Sequence, residues 1–69
     1  MKKLLKAYNL RSREQYFDIC MESYLNGQLT QAKEQYKAMP KADQKTMIMY
    51  LLCDYEENKP YFNFFFNIL

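Results

Sequence analysis

With 69 residues the chain has room for one small hydrophobic core, and its composition removes several kinds of chemistry before any motif is sought. It has no histidine, the commonest general base near neutral pH, and a single glycine, Gly27, which excludes a repeated-glycine phosphate loop. The net charge of +2 hides an uneven distribution: Lys2, Lys3, Lys6, Arg11 and Arg13 precede the first acid, Glu14, whereas residues 14–69 carry five lysines against eight carboxylates and sum to −3.

In chain order, residues 2–10 set Leu4, Leu5, Tyr8 and Leu10 against the lysines, as a short basic helix or a flexible arm within segment 1–11. Ser12, followed three residues later by Gln15, has the form of a capping box. It predicts a helix from Arg13 to Asn26, with Phe17, Cys20, Met21, Tyr24 and Leu25 at helical spacing and Glu14, Asp18 and Glu22 as an acidic outer row. Gly27 reads as the left-handed residue that ends it, because the flanks repeat near 3.6 rather than 2.

Leu29, Ala32, Tyr36 and Met39 form the narrow apolar stripe of a second helix, which Pro40 stops. Pro40 also opens the next helix, predicted over 41–55, with Asp43 in its first turn. The unbroken run Met47-Ile48-Met49-Tyr50-Leu51-Leu52-Cys53 makes that helix apolar on nearly every side, so it is expected to be covered on every side. Glu56-Glu57-Asn58-Lys59-Pro60 reads as a loop. Beyond it, Tyr61-Phe62-Asn63-Phe64-Phe65-Phe66-Asn67-Ile68-Leu69 holds four of the five phenylalanines. Phe62, Phe65, Phe66 and Leu69 fit helical spacing, while Phe62, Phe64 and Phe66 fit a strand. Helix is preferred because no partner strand is visible elsewhere.

The expected fold is all-α: one domain over 1–69, a small bundle of three to four short helices with an antiparallel helical hairpin at its centre. It divides into the basic segment 1–11, a helical core 12–58 and an aromatic tail 59–69. Cys20 and Cys53 lack Cys-x-x-Cys spacing, and each lies in an apolar stretch, so both read as small buried hydrophobes. No metal, cofactor or catalytic constellation is indicated, and a non-enzymatic protein is expected. Lys6, Asn9 and Arg11 interrupt any signal-like start, and the tail falls short of the ~20 apolar residues that span a bilayer. The expectation is a cytoplasmic protein without stable membrane insertion.

The stretch Tyr24-Leu25-Asn26-Gly27-Gln28-Leu29-Thr30-Gln31-Ala32-Lys33-Glu34-Gln35-Tyr36 resembles the central part of a tetratricopeptide repeat. That family places a glycine near the end of its first helix, an alanine five residues on at the helix crossing, and an aromatic four residues later. Gly27, Ala32 and Tyr36 match this spacing. The resemblance implies an antiparallel helical hairpin. Its proline departs from the pattern, since Pro40 follows Tyr36 by four residues where the family's follows by eight, and there is no second copy. The family's peptide-binding groove is therefore not carried over.

Twelve aromatics and five methionines in 69 residues exceed what so small a core encloses, and seven of the aromatics are tyrosines, which suit interfaces. The expected function is protein–protein binding, as an inhibitor or adaptor of a larger intracellular machine of the kind phages and mobile elements encode, or as a self-associating chain. The expected partner-binding residues are Tyr61, Phe62, Phe64, Phe65, Phe66, Tyr50 and Tyr55. The alternative is a nucleic-acid-binding accessory protein that follows phosphates with Lys2, Lys3, Lys6, Arg11 and Arg13.

Overall fold

The computed structural model describes residues 1–54 and 59–68, and all the regular structure in them is helical. Helix α1 spans Lys2–Ala7, α2 Arg13–Leu25, α3 Leu29–Lys37, α4 Lys41–Asp54 and α5 Lys59–Ile68. The all-α bundle expected from the sequence is the observed fold.

Two helices end in the same way. After α1, Asn9 adopts a left-handed φ of 59°, the Leu10 amide donates to the Leu5 carbonyl, and the Asn9 amide donates to Lys6. After α2, Gly27 takes φ 80°, the Gln28 amide donates to Ser23, and the Gly27 amide donates to Tyr24. Both are Schellman ends, in which one left-handed residue lets two amides satisfy carbonyls that the helix leaves open. Asn9 therefore stops α1 at Ala7, short of the residue-10 limit expected from the apolar spacing.

The start of α2 departs from the capping box. Ser12 occupies the N-cap but its side chain makes no cap hydrogen bond, and Gln15 reaches one residue further back, its Oε1 accepting the Arg11 amide at 2.7 Å. At the α3–α4 corner the Pro40 carbonyl accepts the Asp43 and Gln44 amides, each at 3.0 Å, so the residue that ends α3 opens α4. Gln44 secures the corner, its Nε2 donating to the Met39 carbonyl at 2.8 Å. Helix α5 begins at Lys59, placing Pro60 in its first turn, where a missing amide costs nothing. Lys59 and Pro60 are thus helical rather than loop; the rest of the expected loop, Glu56 to Asn58, lies outside the described residues.

Helix α2 packs on α3 and α4, and α5 packs on the same two, closing a ring of four helices. Ala32, fully buried, lets α2 and α3 approach, and Tyr16 Oη donates to the Gln35 carbonyl at 2.7 Å across their contact. One core cluster gathers Tyr16, Phe17, Cys20 and Met21 of α2, Ala32 and Tyr36 of α3, Met47, Ile48 and Leu51 of α4, and Tyr61 and Phe65 of α5, with Met39 from the corner. Leu29, placed on the α3 stripe by its spacing, is exposed instead. The radius of gyration, 11.0 Å, equals the value of about 11 Å expected for a compact chain of this length, so α5 is docked rather than projecting.

Candidate protein-docking surfaces

The aromatic residues of α5 divide by helical angle. Tyr61 and Phe65, four residues apart, point inward: Tyr61 Oη donates to the Leu51 carbonyl at 3.1 Å, and the Phe65 ring lies 5.0 Å from that of Tyr36. Phe64 is half-buried on one flank, 5.1 Å from the Tyr24 ring of α2. Phe62 and Phe66 form the other flank, stacked on each other at 5.5 Å, with Phe66 53% exposed. Of the residues expected to meet a partner, Tyr61 and Phe65 are therefore enclosed by this chain's own core. Tyr50 is half-buried, its ring 5.4 Å from Phe17 and its Oη donating to Asp18 at 2.8 Å. Tyr55 lies outside the described residues.

Leu25, at the end of α2, is 56% exposed, and further exposed apolar side chains sit where the sequence predicted complete cover. Met47, Ile48 and Leu51 face the core, and the opposite face of α4 carries Met49, 64% exposed, Leu52, 49% exposed, and the free thiol of Cys53. Lys45, one turn before Met49, shares that face and is exposed. Cys53 is thus a surface cysteine, not the buried hydrophobe expected, and its helical position explains the difference. The signal was present: seven consecutive apolar residues in a helix occupy every direction, and a helix at the edge of a four-helix ring is covered on one side only.

Cys20, by contrast, is fully buried, and burial pushes its thiol up to about 12. Desolvation of the phenolate likewise raises the Tyr36 hydroxyl to about 12 and moves Tyr16 upward further still, with Cys20 a secondary cause for both. All three groups stay neutral in the core across the physiological range.

Of the five N-terminal cations, Arg13 is drawn into ion pairs and the other four are exposed. Arg13 Nη1 lies 3.2 Å from Asp43 Oδ1, and its Nε lies 3.7 Å from Glu14 Oε2, so its charge is engaged within the fold. Arg11 is exposed before α2, and Lys2, Lys3 and Lys6 are exposed on α1. The Tyr8 ring packs edge-on against Tyr16 at 5.3 Å. Lys2 and Lys3, with Met1, Leu4, Ala38 and Pro40, line an open groove of about 580 Å³ between the start of α1 and the α3–α4 corner.

Among the described residues no group of three Cys, Asp or Glu side chains comes together as a metal site, and no helix is long and apolar enough to cross a membrane. No protein-family model matches the chain, and comparisons with curated proteins and with solved structures find no match.

Proposed function

We propose that this protein acts by binding another protein, in the manner of a small non-enzymatic inhibitor or adaptor, with the outer face of α4 as its docking surface. The exposure of Met49 and Leu52 side by side on one helix carries this reading. Two large, flexible apolar side chains at helical spacing are the anchors with which a helix seats in a partner's groove. Lys45 on the same face favours a partner whose apolar surface is edged by carboxylates. Nucleic-acid binding has less support, because Arg13 is held by Asp43 and Tyr8, though 43% exposed, has its ring edge-on against Tyr16.

The test uses the whole chain and a Met49→Glu/Leu52→Glu double variant. A protein captured from the cells that make the chain is identified, purified and titrated against both forms. The expected result is an unchanged helical circular dichroism spectrum with affinity at least tenfold lower in the variant. A purified partner that binds both forms equally would remove α4 from the interface. Sedimentation of the chain alone identifies the case in which that partner is a second copy.

A further inference from the structure

We propose that the groove between the start of α1 and the α3–α4 corner binds an acidic segment of a partner protein, one that carries a large apolar side chain. The proposal rests on the reading of this chain as a protein-binding module, but it uses a surface separate from the outer face of α4. Folding brings together two stretches far apart in sequence, residues 1–4 and 38–40. Between them they put two lysines, Lys2 and Lys3, on the groove, and neither stretch holds a carboxylate. Of the nearest acids, Asp43 is engaged by Arg13 at 3.2 Å, and Glu34, one turn before Ala38 on α3, is exposed and does not line the groove. The charged side chains of the lining are therefore of one sign, in a molecule whose net charge is only +2.

The groove is also apolar where it is not cationic. Met1, Leu4, Ala38 and Pro40 supply lining without a side-chain hydrogen-bonding group, and Lys2 and Lys3 add aliphatic stems beneath their ammonium groups. Its volume of about 580 Å³ is within the range that accepts a ligand of several side chains. This chemistry selects a leucine or phenylalanine flanked by glutamate or aspartate. A nucleic acid fits less well: among the described residues no aromatic ring lines the groove for bases to stack on, and phosphate contacts alone leave the apolar lining unused.

Fluorescence anisotropy with a labelled short peptide, in which leucine and phenylalanine are flanked by glutamates, tests the proposal directly. The titration is repeated with the same peptide carrying alanine at its apolar positions, with a single-stranded oligonucleotide, and with a Lys2→Glu/Lys3→Glu variant checked by circular dichroism. Both substitutions fall at the start of α1, where negative charge suits the helix dipole, so the fold is retained. Binding of the acidic apolar peptide, weakened at least tenfold by the alanine peptide and at least tenfold by the charge-reversed protein, is the expected result. No binding to wild type, tighter binding of the oligonucleotide, or loss of less than tenfold in either arm overturns it. The Met49→Glu/Leu52→Glu variant retains the peptide affinity, so failure at α4 and failure at the groove are read separately.

Discussion

The inner edge of α5 and the outer face of α4 are both built from large apolar side chains, yet water reaches only one of them. Phe65 is 0% exposed between Tyr36 and Tyr24, whereas Met49 is 64% exposed. Hydrophobicity alone does not separate the two; the side of the helix on which the residues fall does. Helix α5 packs on both α3 and α4, and Tyr24 reaches it from α2, so its inner edge is enclosed from three directions. Helix α4 packs on α2 and α5, and its apolar run is wider than the sector they cover.

The strongest way to break this contrast is to truncate one side chain from each region. Phe65→Ala should destabilise the fold by about 3–5 kcal/mol, because it removes a fully enclosed ring and leaves a cavity. A domain of this size has about 3–10 kcal/mol in total, so most of its stability is at stake. Leu52→Ala should change stability by no more than about 0.5 kcal/mol. Urea denaturation followed by circular dichroism measures both. Equal losses would mean that the outer face of α4 is packed, and the docking surface proposed there would disappear.

Helix positions were readable from the sequence because local signals set them: Gly27 as a left-handed stop, Pro40 as both stop and start, and Ala32 with Tyr36 on one stripe. The Asn9 stop was less visible, since asparagine enters the left-handed region less freely than glycine and Leu10 continues the apolar spacing. Which residues remain outside depended on long-range packing. Nothing within Met47 to Cys53 indicates which side meets α2 and α5, and nothing within the tail says that Tyr61 and Phe65 complete the core. The groove beside Lys2 and Lys3 joins residues more than thirty positions apart, so no local pattern announces it.

A milder perturbation sharpens the same division within α3. Ala32 is buried where α2 and α3 meet, and Leu29, one turn earlier, is exposed. Ala32→Leu inserts bulk into that contact and should cost about 1–3 kcal/mol by overpacking. Leu29→Ala should stay within about 0.5 kcal/mol. An unaltered urea midpoint for Ala32→Leu would show that the two helices do not approach closely at this residue.

The smallest effect separates the two cysteines, one on each side of the contrast. Burial raises the Cys20 thiol from 9.0 to about 12, so an unfolded chain releases this proton at lower pH than the folded one. Between these values the folded state binds more protons than the unfolded state, and stability must fall as pH rises. The contribution is fully present below about pH 9 and disappears progressively towards pH 12, with Tyr36 adding its own loss from about pH 10 upward. By pH 10 the loss from Cys20 is on the order of 1 kcal/mol. Cys20→Ala should flatten the urea midpoint between pH 9 and 10, whatever its constant cost from the lost thiol. Cys53→Ser is the control, in which a thiol is removed outside the core. If both variants shared the wild-type slope, Cys20 would have to titrate in the folded protein as it does in the open chain, and the core drawn around it by Tyr16 and Tyr36 would be wrong.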